Sequence, residues 1–163
     1  NTGRIIADVI ADNHAYVWDR TQPDATMLTL LADARYAPIV VFPQQYAEAQ
    51  RCINSPLELT AVQSGKIPLF IMLDGTWREA KKMFKSTYLA NLPVLGIQPE
   101  QGSSYQLREA AHLHQLCTAE VAIEVLKLAN DTAAAVALAE YFAVFRRAYI
   151  VGKPHLNFTE SAE

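Results

Sequence analysis

Leu69-Phe70-Ile71-Met72-Leu73 is apolar at every position, and so is Pro38-Ile39-Val40-Val41-Phe42. A strand with one wet face alternates polar and apolar residues. A run that is apolar on both sides belongs in the middle of a mostly parallel sheet with helices over each face. These two stretches decide the fold class. Around them, short β-rich runs predict strands at His14–Trp18, Pro38–Phe42, Pro68–Leu73 and Pro93–Ile97, three of which start at or beside a proline, where a missing N–H is tolerated. Longer amphipathic stretches predict helices over Gly3–Ile10, Asp24–Ala34, Gln44–Cys52, Trp77–Lys85, Thr118–Ala129 and Asp131–Tyr149. The alternation predicts an α/β domain, and folds of that class bind ligands in the loops beyond the carboxyl ends of the strands.

Composition narrows the class further. The chain has 163 residues, 51% hydrophobic and 19% charged, with no internal repeat or low-complexity linker, so a single domain over residues 1–163 is expected. A chain of this length buries roughly 70% of the surface its unfolded form exposes, enough for a core without disulfide or metal. Glu140 interrupts the apolar stretch from Ala133 to Val144, and no run reaches the roughly 18 apolar residues of a membrane span. The balance of 14 Lys+Arg against 17 Asp+Glu, a net charge of -3, argues against a surface that is polyanion-binding throughout but permits a local basic patch. Cys52 and Cys117 have neither metal-ligand spacing nor a disulfide framework, which suits a reducing cytoplasm. The chain opens at Asn1 without an initiator Met, and a segment upstream is expected.

Chemistry concentrates in the loop after the most apolar strand, Leu73-Asp74-Gly75-Thr76-Trp77, and in the helix Arg78-Glu79-Ala80-Lys81-Lys82-Met83-Phe84-Lys85. Thr76 and Glu79 have the spacing of a capping box, so Thr76 is expected to cap that helix. Asp74 then stands just outside the helix N-terminus, where the dipole favours negative charge. Beside a glycine it is suited to accept a proton or bind an ammonium group; fixing the turn would need no more than the same residues. Arg78, Lys81, Lys82 and Lys85 recur at i, i+3, i+4 and i+7 and share one helix face. A solvated face is the usual explanation of such a stripe, and the scarcity of interleaved acids raises the alternative, a phosphate-binding one.

Two further segments read as site or as packing. Gly102-Ser103-Ser104-Tyr105-Gln106-Leu107-Arg108 is a polar loop with one aromatic and one cation. Leu116-Cys117-Thr118-Ala119-Glu120 leads into a helix marked as buried by Val121, Ile123, Val125, Leu126 and Leu128, with Glu120 suited to its dipole. Asn1-Thr2-Gly3-Arg4 reads as a polar loop with Thr2 as cap, and Tyr141, Phe142 and Phe145 read as core. Gly-rich phosphate loops, His-Glu-x-x-His, Cys-x-x-Cys and Gly-x-Ser-x-Gly are absent, and His112 with His114 makes a weak metal pair, so no metal site is expected.

Asp74-Gly75-Thr76-Trp77, between an apolar strand and a basic helix, resembles the Asp-x-Thr-Trp motif of the DTW-domain family. Asn1 to Arg4, Val41-Phe42-Pro43, Ser104 to Arg108 and Cys117 to Glu120 stand in the family's order, and the likeness covers nearly the whole chain. It is similar above all to the bacterial tRNA-uridine aminocarboxypropyltransferase branch. The resemblance implies a SPOUT-like α/β sheet whose C-terminal part forms a trefoil knot that binds S-adenosylmethionine, an uncommon topology. It implies transfer of the 3-amino-3-carboxypropyl group to N3 of a tRNA uridine in the variable loop, leaving methylthioadenosine. A SPOUT-like RNA methyltransferase and an RNA-binding module without catalysis are the alternatives.

The resemblance also implies roles. Asp74 would be the general base for N3, and Arg108 would clamp the cofactor's carboxylate. Thr2, Gly3, Thr76, Ser104, Leu107, Cys117, Thr118 and Glu120 would contribute to the cofactor site, with Leu92, Val94, Phe42 and Pro43 as the apolar wall around adenine. Trp77 and Tyr105 would offer aromatic faces to adenine or uracil. Arg4, Arg78, Lys81, Lys82 and Lys85 would hold tRNA. Many relatives have Ser where Cys117 stands, so Cys117 reads as small packing. Bacterial members carry a cysteine cluster suited to zinc upstream of the point where this chain begins. No membrane and no obligate protein partner is expected.

Overall fold

In a computed structural model of the chain the described residues are 6, 8–10, 13–96, 118–128 and 131–141. The chain divides into two compact units, one running from His14 to Gln98 and the other drawing on residues on either side of it. The first unit holds a four-stranded parallel sheet: β1 (Tyr36–Val41), β2 (Cys52–Ile53), β3 (Ile67–Met72) and β4 (Val94–Leu95), in the order β2-β4-β1-β3. The expected α/β class with a parallel sheet flanked by helices is what forms. Its helices are α1 (Ala25–Leu31), α2 (Pro56–Gln63) and α3 (Trp77–Phe84).

Topology explains why both faces are covered. The β2-α2-β3 connection crosses the sheet in one direction and β3-α3-β4 crosses back. Right-handed crossovers in opposite directions put their helices on opposite faces. Val40 pairs with both Ile71 and Val94, and that row packs with Ala80, Phe84 and Leu89 on the α3 side. Ile39 pairs with Phe70, and Leu95 pairs with Val41 and Ile53; Ile39, Ile53, Leu95 and Phe70 pack with Leu59 and Val62 of α2. Ile39, Val40 and Val94 have no exposure at all.

The structure changes two sequence expectations in this unit and adds one helix. Residues 14–18 form no strand: Val17 is 89% exposed and the Trp18 indole donates to Ser86 Oγ at 3.1 Å. Alternation alone does not make a strand when no sheet edge pairs with it. The helix expected at Gln44–Cys52 is two 3-10 turns, Gln44–Tyr46 and Ala49–Arg51, followed by β2. Non-local bonds hold this form: Gln44 Nε2 donates to Ile53 O at 2.7 Å, and Arg51 donates to Leu89 O at 2.8 Å and Leu92 O at 2.9 Å. Helix α2, for which no expectation was drawn, begins with Ser55 accepting from Glu58 N at 3.1 Å and Pro56 in its first turn, a readable start signal. It ends at Ser64 and Gly65, both at positive φ (51° and 76°).

In the second unit α4 (Thr118–Leu128) buries Ala122, Ile123 and Val125, whereas Leu128, expected inside, is 43% exposed at its end. Helical residues 132–141 bury Ala135 and Leu138. Tyr141, read as core, is exposed, and its hydroxyl donates to Asp8 Oδ2 at 3.0 Å. Phe142, Phe145 and most of the C-terminal stretch that the knot expectation concerns lie outside the described residues. No helix of the described residues is long and apolar enough to cross a membrane.

Candidate functional site at the carboxyl ends of β1 and β3

The Asp-x-Thr-Trp sequence forms the turn from β3 into α3. Thr76 has extended backbone and its Oγ1 accepts from Glu79 N at 3.2 Å, while Thr76 N donates back to Glu79 Oε1 at 3.3 Å. This is the expected capping box. The Thr76 hydroxyl also donates to Glu79 Oε1 at 2.7 Å, so its hydrogen-bonding capacity serves the cap. These bonds, the side-chain one foremost, with Lys82 nearby, lower the Glu79 pKa below the ordinary glutamate value. Glycine at position 75 has a negative φ, and a Cβ there would meet Glu79 Cβ at 3.4 Å, an ordinary contact. Neither φ nor space demands glycine in this turn.

Trp77, the first residue of α3, locks the helix to the end of β1. Its ring stacks on Phe42 with centroids 5.4 Å apart at 7°, and Phe84 stacks on Phe42 at 4.4 Å and 10°. Trp77 and Phe84 are two helical turns apart, about 10.5 Å along the axis, so the Phe42 ring lies between them. Tyr46 meets this stack at a steep angle, 5.4 Å from Trp77 at 67° and 5.7 Å from Phe42 at 64°. Lys81 Nζ lies 5.8 Å from the Trp77 ring centroid, within cation–π range.

Asp74 is thereby delivered, half-buried, to the carboxyl end of β3 beside Leu73, Trp77 and the Phe42-Pro43 end of β1. Arg78, Lys82 and Lys85 are exposed while Ala80 and Phe84 face the core, so the stripe is on the solvent side of α3, with Lys81 half-buried at its margin. No ion pair among the described residues uses these four cations. That leaves their charge available for an anionic ligand.

Other expected site residues are distributed unevenly. Phe42 and Val94 are 5% and 0% exposed, so their side chains belong to the core and they can offer a ligand chiefly backbone; Leu92 and Pro43 are half-buried. Thr118 opens α4 and Glu120, half-buried, is in its first turn. Thr2, Gly3, Arg4, Ser104, Tyr105, Leu107, Arg108 and Cys117 lie outside the described residues. Among the described residues no group of three His, Cys, Asp or Glu could hold a metal ion.

Two residues that shape this end of the sheet carried no local signal. Arg51, with its side chain 12% exposed, holds the carbonyls of Leu89 and Leu92, pairs with Glu48 at 3.1 Å and lies 5.3 Å from the Phe84 ring centroid. The Arg51 bond lowers the Glu48 pKa. Gln44 lies across Gly96, where a Cβ would come within 2.6 Å of Gln44 Cγ. Both act over tens of residues or through backbone proximity, which a linear pattern does not display. An open groove of about 780 Å³ borders β2, lined by Arg51, Cys52, Asn54, Glu58, Asn91 and Pro93 among others. It includes none of the Asp74–Trp77 residues, and the chemistry-bearing groups gather instead at the strand ends.

The model of the DTW domain matches residues 1–150. The chain belongs to the DTW-domain family. No solved structure matches it. Within this DTW domain the motif has a physical division of labour: Thr76 starts the helix, Trp77 clamps it to β1, and Asp74 is left as the carboxylate at the strand end. Membership is compatible with a tRNA-modifying function, in general terms that of a transferase.

Proposed function

We propose that this DTW domain transfers the 3-amino-3-carboxypropyl group of S-adenosylmethionine to N3 of a uridine in the variable loop of tRNA. The reading extends to the bacterial aminocarboxypropyltransferase branch and to a SPOUT-like fold with a C-terminal trefoil knot. The observation that carries it is the DTW match over residues 1–150, together with a carboxylate, Asp74, at the end of a parallel strand beside a helix face of cations that no ion pair among the described residues uses.

The donor set suits the co-substrate: a carboxylate next to the apolar Leu73 and Trp77 fits a cationic sulfonium joined to a purine. S-adenosylmethionine supplies an activated carbon attached to that sulfonium. Uridine N3 becomes nucleophilic on losing its proton, and Asp74 takes it. The N3–C bond forms as the C–S bond breaks, and methylthioadenosine leaves with the electron pair. General-base action of this kind contributes about 10²–10⁴-fold. Choosing the aminocarboxypropyl carbon over the methyl is a matter of orientation, assigned to Arg108, Ser104, Thr2, Thr118 and Glu120 as the groups that hold the polar end, with Trp77 and Tyr105 offering aromatic faces to adenine or uracil. Arg78, Lys81, Lys82 and Lys85 hold tRNA phosphates in a cytoplasmic enzyme.

Incubating the protein with S-adenosylmethionine and unmodified tRNA tests the reading by nucleoside mass. An aminocarboxypropyl gain with methylthioadenosine released is the expected result; a methyl gain with S-adenosylhomocysteine overturns it in favour of a methyltransferase. Binding of tRNA with no mass change makes the domain a binding module.

A further inference from the structure

We infer that Tyr46 is a stacking platform for an unpaired nucleobase flanking the modified uridine, an assignment that rests on the proposed RNA substrate. Among the described residues of the His14–Gln98 unit, the large apolar side chains that are exposed are the aliphatic Val17, Leu28, Leu57 and Ile67 and one aromatic, Tyr46, 43% exposed. It stands on the 3-10 turn directly after Pro43, at the same end of the sheet as Asp74.

Its setting differs from that of a ring that merely failed to be buried. Phe42, Trp77 and Phe84 lie nearly parallel, whereas Tyr46 meets Phe42 and Trp77 at 64° and 67°. Contact at a steep angle with two neighbours holds the ring in place, and its 43% exposure leaves part of its surface in solvent. The neighbours are themselves held, Phe42 between two rings and Trp77 by the start of α3, so little side-chain entropy is lost when a flat ligand stacks.

Charge identifies the ligand class. Trp77, which Tyr46 touches, has Lys81 over its ring at 5.8 Å, and the exposed Arg78, Lys82 and Lys85 continue along the same helix. An aromatic plane next to a row of cations, in a chain of net charge -3, is complementary to a base with its phosphates. An apolar peptide would use the ring and gain nothing from the cations. Stacking on an aromatic side chain tolerates any base, so Tyr46 contributes affinity and register, with little sequence preference.

The test uses the whole protein and unmodified tRNA, with direct titration of tRNA binding, KM, kcat and S-adenosylmethionine affinity for Y46L, Y46F and Y46W. Y46L keeps an apolar side chain against Phe42 and Trp77 and is expected to weaken tRNA binding and raise its KM by about ten-fold. Y46F and Y46W should bind as the wild type does, with kcat, cofactor affinity and the slope of binding against salt unchanged throughout. Wild-type affinity in Y46L, equal weakening in Y46F, or a parallel loss of cofactor affinity overturns the assignment. If Y46L does not fold, weakened binding by Y46F or Y46W decides against the ring, and retained binding with the same salt slope supports it. Wild-type turnover separates the two ideas: aminocarboxypropyl transfer with an indifferent Y46L sinks the platform alone. A wild type that binds no tRNA sinks both.

Discussion

Beneath α2 the sheet is covered by Ile39, Ile53, Leu59, Leu95 and Val62 with the single ring of Phe70; beneath α3 it is covered by Val40 and Val94 together with Phe42, Trp77, Phe84 and Tyr88. The same strands supply both faces, yet one is aliphatic and the other is aromatic. The solvent sides differ likewise, since α3 carries Arg78, Lys81 and Lys82 with Glu79, and Lys85 at its C-cap, whereas α2 carries one charged residue, Glu58. Aliphatic packing needs only volume. The aromatic stack does more: it sets the height and angle at which α3 leaves the sheet, and with it where Asp74, Tyr46 and the cations stand. The α2 face is expected to serve stability, and the α3 face stability and chemistry together.

The strongest challenge to that contrast is Asp74→Asn. Turnover should fall about 10²–10⁴-fold with tRNA affinity unchanged; undiminished turnover would leave the α3 side without its chemical role. Next come two truncations to be compared with each other. Phe42→Ala should cost about 3–5 kcal/mol of stability in denaturant unfolding and Leu59→Ala about 2–5 kcal/mol. Under conditions where both variants are folded, only Phe42→Ala should lower activity per folded molecule, and equal activities would make the two faces equivalent.

Smaller effects refine the picture at the start of α3. Thr76→Ala removes the cap and should cost about 0.5–2 kcal/mol, with a rise in KM for tRNA as the first turn frays. The smallest effect is pH-linked. The Thr76 bonds hold the Glu79 carboxyl below its ordinary value of 4.5. Stabilisation from the ionised carboxyl is therefore fully present above that value and is lost as pH falls through the lower folded-state pKa. Thermal melts of Glu79→Gln against wild type should show a gap at neutral pH that narrows on acidification. A gap that widens would contradict this sign.

The parallel sheet was legible because Ile39 to Phe42 and Leu69 to Leu73 are apolar on both faces, although β3 stands at the edge of the described sheet, half-buried along most of its length, rather than in its middle as β1 does. The capping box was legible because its partners are three residues apart. Strand β2 was harder: it hides in Cys52 and Ile53, and its pairing with β4, which lies inside the expected strand Pro93–Ile97, is created by neighbours distant in the chain. Residues 44–51 read as helix because local periodicity registers neither Ile53 O accepting from Gln44 nor Leu89 O and Leu92 O accepting from Arg51. The same blindness concealed Tyr46, which looked like one more helical residue until its ring was seen against Trp77.

By itself the sequence determined the class, the order of the central elements and the groups at the candidate site, because buried strands, helix caps and charge stripes are written in residues a few positions apart. Tertiary structure decided that Phe42 passes between Trp77 and Phe84 and that Tyr46 stands beside a cationic helix. Those outcomes depend on which faces two crossovers choose and on contacts tens of residues apart, and packing energies of that range leave no periodicity in the chain.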